Sequence, residues 1–302
     1  MPDVVAPIAA SFEYCPSPVF VIGAPRSGTT ALARALVRHS AFYAGDETFF
    51  LWELFGGGRP EDAYRRWAGR PSSSWLRRER VSEEAFLASL GLGINTLLTT
   101  GSDGRRWIDH TPVHALMADT LGAMFPGATF LHILRDGCEV VNSMMNLERT
   151  LPGDRLEQMR QAEFLPDWAR DFRRACETWR EHVRAAVDFG RRHPDRCLTV
   201  AHRDLERTPA IAMAGILRFL GEPYEEQPAE FLNRHRINSS FTPPGGCAAR
   251  EYSRPDPRAT WSVEQRATFA EVAGADMIDL GLAPRGAFGL PPGPTSSSLP
   301  SP

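Results

Sequence analysis

The segment Val19–Leu36 (VFVIGAPRSGTTALARAL) has the residue types and spacing of a loop that binds phosphate. An apolar run is followed by Gly23, a turn, and a helix that opens near Gly28. Glycine permits a close approach of the backbone, and the free amides at a helix N-terminus favour an anion. Compared with the pattern G-x-x-x-x-G-K-[ST], Thr29 stands at the lysine position and the cation is Arg26. The segment therefore predicts an anion site whose positive charge is an arginine.

Glu47 is a candidate for chemistry close to this loop. It belongs to the stretch Ser40–Leu54, in which Asp46 is expected to be the N-cap of an aromatic-rich helix. Glu47 is then predicted in the first helical turn, beside the loop that precedes it in the sequence. The alternative is a surface acid that only compensates the helix dipole.

Polar residues also follow two further predicted strands. His110 comes directly after the strand Arg106–Asp109, and Arg135 directly after the strand Ala128–Leu134. The carboxyl ends of parallel strands form the edge where open α/β sheets bind ligands. Ser143 is eight residues beyond Arg135 and faces a similar helical direction, so an arginine and a hydroxyl would converge on a second phosphate site. The alternatives are a structural histidine and a local ion pair of the arginine with its neighbour.

Strand and helix patterns alternate along the chain. This predicts an α/β fold with a P-loop-like, three-layer architecture, in which helices flank a mainly parallel central sheet. We expect an N-terminal lead-in at 1–17, a single domain at 18–284 and a disordered, low-complexity tail at 285–302. Helices are predicted, among others, at Val113–Met124, Asp167–Arg192, Pro209–Leu220 and Ser262–Leu280.

Two regions are candidates for contact with a substrate. Region 56–100 begins as a Gly/Pro-rich stretch and becomes helical at Ser82–Leu98, and it is a candidate acceptor-side region or lid. The Gly/Pro-rich segment 237–257 is long for a loop inside a compact domain, which is typical of functional loops. Its arginines, Arg250 and Arg254 among them, could close over a bound ligand.

Composition limits the class of partner. The 302 residues carry a formal charge of −3, so bulk attraction to nucleic acid or to a membrane is not expected. All 34 Lys+Arg residues are arginines, which excludes a lysine-dependent kinase loop. The five cysteines form no C-x-x-C and suggest neither disulfides nor a zinc site. Without a leader-like start or a run of about 18 apolar residues, a soluble cytoplasmic protein is expected.

Three motifs resemble those of sulfotransferases that use 3'-phosphoadenosine 5'-phosphosulfate (PAPS), most closely the tyrosylprotein sulfotransferase branch. The family's 5'-phosphosulfate loop P-R-S-G-T-T is Pro25–Thr30 here. Its G-E-E-T segment is Gly45–Thr48, with Glu47 placed 21 residues after Arg26. Its 3'-phosphate motif, R-D-G with a serine eight residues beyond the arginine, is Arg135–Ser143. The resemblance spans Val19–Leu282 and depends on all three motifs occurring in order.

The resemblance implies roles for these residues. The 5'-phosphate would be held by the loop, namely Pro25, Arg26, Ser27, Gly28, Thr29 and Thr30. Arg26 would contact the bridging oxygen on which negative charge develops, Glu47 would act as general base, and Arg135 with Ser143 would hold the 3'-phosphate. His110 stands where relatives place a lysine, so it is either a donor to the bridging oxygen or a second base. The product is 3'-phosphoadenosine 5'-phosphate (PAP), and no metal is required.

The acceptor is not determined by these motifs. We expect a small hydroxylated metabolite, in a secondary-metabolism setting, in preference to a peptide tyrosine. Aromatic residues near Glu47 could line an acceptor pocket or belong to the core; they are Phe42, Tyr43, Phe49, Phe50 and Trp52. The alternative functions are a P-loop nucleotide kinase and a non-catalytic nucleotide-binding module. The oligomeric state is open, a homodimer being one option.

Overall fold

The centre of the molecule is a sheet of five parallel strands in the order β2-β3-β1-β4-β5. The computed structural model describes residues 13–70, 75–150, 157, 165–234, 256–284 and 286–289. The strands are β1 (Val19–Gly23), β2 (Phe42–Ala44), β3 (Arg106–Asp109), β4 (Thr129–Leu134) and β5 (Cys197–Ala201). Helices connect them, as parallel strands require, and the predicted α/β class with a parallel sheet is confirmed.

The helices lie on both sides of this sheet. In chain order they are α1 (Thr29–Leu36), α2 (Phe49–Phe55), α3 (Pro60–Ala68), α4 (Trp75–Arg78), α5 (Glu83–Thr99), α6 (Ala118–Met124), α7 (Gly137–Met145), α8 (Leu147–Thr150), α9 (Phe172–Arg192), α10 (His202–Arg207), α11 (Pro209–Leu220), α12 (Gln227–Arg234) and α13 (Val263–Asp279). Short 3-10 turns occur at Pro112–Met117, Asp167–Ala169, Pro257–Thr260 and Ala287–Gly289.

Strand β1 is the middle strand of the sheet, and every one of its residues is buried between two helical layers. Val19 and Val21 pack into the cluster formed with α1, α11 and α12, whereas Phe20 and Ile22 pack into the opposite cluster with α5, α6 and α9. Successive side chains of a strand point to opposite faces, so a continuous apolar run suits a strand covered on both sides. A third cluster, around the fully buried Trp179, joins α7, α9 and α13.

Several predicted element boundaries are wrong. The aromatic-rich helix of the stretch Ser40–Leu54 is predicted to begin after Asp46, but it starts only at Phe49. Phe42–Ala44, which precedes it, pairs in parallel with β3, and no strand is predicted there. The predicted irregular stretch 56–74 contains α3, with Pro60 at its first turn followed by two acids. Proline at that position and acids in the first turn stabilise a helix start. The glycines before this segment favour the prediction of a loop instead. Both predicted helices Val113–Met124 and Asp167–Arg192 begin with a 3-10 turn.

The predicted acceptor-side region 56–100 consists of α3, α4 and α5. These helices border a groove of about 840 Å³ whose lining includes Trp67, Trp75 and Phe86. In the predicted tail, the described residues 286–289 form a turn whose Phe288 packs against Phe269 at a centroid distance of 5.5 Å. Across the described part of the chain, no helix is both long and apolar enough to cross a lipid bilayer.

Two buried histidines are expected to make folding stability depend on pH. Burial lowers the pKa of both His132 in β4 and His182 in α9 to about 4. Between their ordinary value near 6.5 and about 4, the unfolded chain binds protons that the folded protein does not. We therefore expect the free energy of unfolding, measured in urea, to fall as the pH drops from 7 to 5. The expectation would be contradicted if the free energy of unfolding did not change between pH 7 and pH 5 and if the His182→Gln variant showed the same pH profile as the unmodified protein.

Candidate active site

Four polar groups line the carboxyl edge of the sheet in the order of its strands. The segment 45–48 follows β2, His110 follows β3, the phosphate loop follows β1, and Arg135 follows β4. Because these four strands are consecutive neighbours, the topology sets the order of the groups along one edge. The sequence motifs, which are spread over about 100 residues, are thus brought to one site.

The phosphate loop has a backbone that only glycine supports at two positions. Gly28 is the N-cap of α1 with φ 108°, and a Cβ atom at Gly23 would lie 2.8 Å from Ser27 Oγ and 2.9 Å from the Ile133 carbonyl oxygen. Ser27 is 1 % exposed, and its Oγ has no hydrogen-bond partner within the described residues. A buried hydroxyl without a partner, next to the free amides of a helix N-terminus, fits an anionic oxygen. The residues present therefore fit a bound phosphate group.

Arg26 is held in a backbone conformation that non-glycine residues rarely adopt, with φ 70°. Its Nε donates to Ser143 Oγ at 3.2 Å, and its carbonyl oxygen accepts from Arg135 Nη1 at 2.9 Å. Such strain persists only where surrounding contacts impose it, which is typical of functional sites. Arg26, predicted for the 5'-phosphosulfate end of PAPS, is thus hydrogen-bonded to both residues predicted for its 3'-phosphate end, Arg135 and Ser143.

Arg135 is fixed from several sides. It is 7 % exposed, its Nε donates to Glu139 Oε2 at 2.9 Å, and its carbonyl oxygen accepts from Trp179 Nε1 at 3.2 Å. The side chain of Asp136 caps α7 by accepting from two backbone amides. A Cβ at Gly137 would lie 2.9 Å from the Trp179 ring, so the third residue of the R-D-G motif must be small. Trp179, about 40 residues away in sequence, is a supporting residue that the motifs do not reveal.

His110 is buried at the end of β3, and its Nδ1 has no hydrogen-bond partner in the part of the chain that is described. Burial lowers its pKa, and the charge of Arg34 lowers it further, while Asp109 and Asp46 act in the opposite direction. The neutral imidazole is therefore favoured at pH 7. Of the two roles considered for His110, donation to the bridging oxygen as an imidazolium is the less suited to this environment.

Glu47 precedes α2 instead of lying in its first turn, so that part of the prediction is wrong. The N-cap of α2 is Thr48, and Asp46 is exposed. The Thr48 amide donates to Thr111 Oγ1 at 2.7 Å, and Thr48 Oγ1 donates to Asp109 Oδ2. These bonds to β3 and the residues after it hold the segment 45–48 against the sheet edge, and helical geometry begins only afterwards. Glu47 itself is half-buried.

Asp109 is the acceptor at the centre of this arrangement. Its Oδ1 also accepts from the Thr111 amide at 2.8 Å and lies 3.0 Å from His114 Nδ1. Burial raises the pKa of this carboxyl, but the contact with His114 and the hydrogen bonds from Thr48 and Thr111 outweigh burial and lower the pKa to about 2. Asp109 is therefore ionised throughout the physiological range. In the sequence, the one indication of this role is that an acidic residue, Asp109, directly precedes His110.

Two predicted ligand-binding residues, Arg250 and Arg254, lie outside the described residues. The rest of the predicted loop and edge residues are brought to the carboxyl edge of the sheet. Among the described residues, no three or more histidine, cysteine or acidic side chains are grouped in the arrangement of a metal site.

Comparison with known proteins identifies the family. The model of the sulfotransferase family matches residues 18–226. A protein-tyrosine sulfotransferase of Drosophila melanogaster is 27 % identical over 229 residues, and protein-tyrosine sulfotransferase 1 of Danio rerio is 26 % identical over 211. These alignments cover 72 % and 69 % of the chain, which spans 41 % and 54 % of the two relatives. The sulfotransferase domain of a Synechococcus olefin synthase has 23 % identity and a TM-score of 0.47, covering 72 % of this chain and 77 % of that domain.

Two predictions are corrected by these relatives. The preference for a small-molecule acceptor is wrong, because the relatives are protein-tyrosine sulfotransferases, whose name states a protein acceptor. The prediction of a cytoplasmic location is contradicted by the same relatives. The predicted family is confirmed. With a family match over more than half of its residues, the chain belongs to the sulfotransferase family and is similar to the tyrosylprotein sulfotransferases within it.

Proposed function

We propose that this protein transfers a sulfuryl group from PAPS to the hydroxyl of a tyrosine in a polypeptide. The observation that carries the proposal is the order of groups along the sheet edge: Glu47, then His110, then Arg26, then Arg135. Sulfuryl transfer from PAPS needs an acceptor base, a leaving-group cation and a 3'-phosphate cation in this spatial order, from the acceptor to the far end of the donor. The tyrosyl acceptor is proposed from the protein-tyrosine sulfotransferases to which the chain is similar.

The donor would be held at two places. The amides at the start of α1 and the hydroxyls of the buried residues Ser27 and Thr29 would hold the 5'-phosphate. Arg135 and Ser143 would hold the 3'-phosphate, because a guanidinium and a hydroxyl together suit a phosphate dianion. Bound PAPS would supply an activated sulfuryl group at the end of its 5'-phosphate.

Arg26 and Glu47 would then carry the chemical step. As the acceptor oxygen bonds to sulfur and the bond from sulfur to the bridging oxygen breaks, Arg26 would stabilise the charge that develops on that oxygen. Glu47 would accept the proton of the tyrosine hydroxyl. His110 would act in its neutral form, as a hydrogen-bonding group near the reacting atoms, since burial disfavours the imidazolium.

The proposal predicts that the 3'-phosphate of the ligand is recognised by Arg135. PAP at about 100 times its Kd should raise the free energy of unfolding by about 2.7 kcal/mol, whereas adenosine 5'-phosphate at the same concentration should give much less. In Arg135→Gln the difference between the two ligands should shrink. Arg65→Gln is the matched control, because Arg65 pairs with Glu83 on the exposed surface of α3 and should leave the difference unchanged.

Transfer itself is tested with ³⁵S-labelled PAPS and a library of tyrosine-containing peptides. We expect label on tyrosine oxygen, identified by mass spectrometry of the modified peptides. Magnesium-dependent ATP binding without preference for a 3'-phosphate would instead indicate a nucleotide kinase. Stabilisation by PAP without transfer to any peptide in the library would contradict the tyrosyl acceptor.

A further inference from the structure

The residue after the proposed base is bonded to the residue before His110. Thr48 Oγ1 donates to the Asp109 carboxylate, and the Thr48 amide donates to Thr111 Oγ1 at 2.7 Å. Glu47 and His110 are therefore the chain neighbours of two residues that are hydrogen-bonded to each other. This bond thus links the segment that carries Glu47 to the strand end that carries His110.

Thr48 uses its hydroxyl for this bond instead of for its helix. It is the N-cap of α2, and threonine at that position normally accepts a hydrogen bond from an amide of the first turn. In this protein the Thr48 side chain makes no such bond. The hydroxyl is directed to Asp109, 61 residues away in sequence. The Thr48 hydroxyl therefore contributes to a long-range contact at the sheet edge and not to the helix start.

The second observation is that Asp109 is a buried carboxylate, and removing a carboxylate from water costs free energy. The residue is 3 % exposed, and its partner His114 is 1 % exposed. A buried ion pair or carboxylate is often no more stabilising than apolar residues of similar volume, so fold stability alone does not account for it. Its two oxygens are instead divided between the two segments at the site: Oδ2 accepts from Thr48, and Oδ1 accepts from the Thr111 amide beside His110.

We infer that Thr48 and Asp109 are positioning residues that set the separation of Glu47 and His110 for sulfuryl transfer. The inference rests on the proposed function and adds to it how the segment 45–48, which has no regular secondary structure, is held against the strand that carries His110. Neither residue is assigned contact with the reacting atoms. Their effect is on the geometry of Glu47, and a displacement of about 1 Å at a reacting group can lower a rate by about 10².

The test is the nearly isosteric variant Thr48→Val, which removes the hydroxyl that bonds Asp109. With ³⁵S-labelled PAPS and the tyrosine peptide library, kcat should fall by about 10- to 100-fold, while the KM for PAPS and the thermal stabilisation by PAP stay unchanged. Thr48→Ser, which keeps the hydroxyl, should restore most of the lost kcat. Thr120→Val is the matched control, since it removes a buried threonine hydroxyl that donates to Glu61 at 2.7 Å in another part of the fold.

A second measurement is independent of turnover. Hydrogen exchange of the peptide covering residues 44–51 should be faster in Thr48→Val and unchanged in Thr120→Val, because only the first variant loosens the segment. Unchanged exchange in that peptide, or a kcat within twofold of the unmodified protein, would overturn the inference. Should the unmodified protein transfer no sulfuryl group at all, the proposed function fails, and the exchange experiment still decides whether Thr48 holds the segment.

Discussion

Replacing Glu47 by glutamine is expected to lower kcat for sulfuryl transfer by about 10² to 10⁴-fold, the usual effect of losing a well-placed general base. Glutamine has nearly the same shape as glutamate but cannot accept the proton of the tyrosine hydroxyl. Since Thr48 and Asp109 hold the segment independently of the Glu47 side chain, the fold around the site should be retained. The measurement is transfer from ³⁵S-labelled PAPS at saturating peptide, with PAP stabilisation as the check on donor binding.

Two further variants make this prediction specific. Glu53→Gln changes an exposed glutamate of the neighbouring helix α2 and should leave kcat unchanged. His110→Gln should lower kcat far less than Glu47→Gln, because we assign the proton transfer to the carboxylate. The opposite ranking would show that His110 is the base, a role that the lowered pKa and neutral form of His110 would permit.

Replacing Arg26 by glutamine is expected to lower kcat by about 10² to 10³-fold, the cost of removing one preorganised group from a developing charge. The charge on the bridging oxygen increases as the sulfuryl group leaves, so the effect should fall on kcat more than on binding of PAP, which lacks the sulfuryl group. Glutamine is unbranched at Cβ and would meet the same backbone strain at φ 70° as arginine does. Loss of activity would then reflect the missing guanidinium.

The control for Arg26 is the same substitution at a surface ion pair. Arg173→Gln breaks a contact of 2.7 Å with Glu271 between α9 and α13 and should leave transfer unaffected. If Arg26→Gln weakens PAP binding as much as it lowers kcat, the side chain binds the ground state and does not stabilise the leaving group. Measuring PAP binding and kcat on the same preparation of Arg26→Gln therefore distinguishes ground-state binding from stabilisation of the leaving group.

Much of the fold follows from local patterns in the sequence. The buried run of β1, the strand Arg106–Asp109 and the glycine-bounded loop are each recognisable because one short segment carries all the necessary information. The position of Arg135 at the sheet edge follows as well, since a strand that ends directly before a polar residue places it there. For these features the prediction agrees with the structure to within one residue.

The features that escaped prediction depend on residues far apart in sequence. Phe42–Ala44 is a strand because it pairs with β3, more than 60 residues away, and its three residues are too few to show a strand pattern of their own. The bond from Thr48 to Asp109 and the support of Arg135 by Trp179 are of the same kind. The spacing of residues within one segment does not indicate which side chain of a distant element will contact that segment. The motifs therefore indicate candidates for the reacting groups but not what holds these residues in place.

The left-handed backbone of Arg26 sets stability and activity against each other at one residue. A side chain in this conformation costs about 1 to 2 kcal/mol relative to glycine, which adopts it freely. Selection for thermal stability alone would therefore favour glycine at this position and would remove the guanidinium that transfer is proposed to need. A thermostabilised variant of this enzyme should be sought at other residues, and a homologue with glycine here would be a candidate for a protein that has kept the fold and lost the reaction.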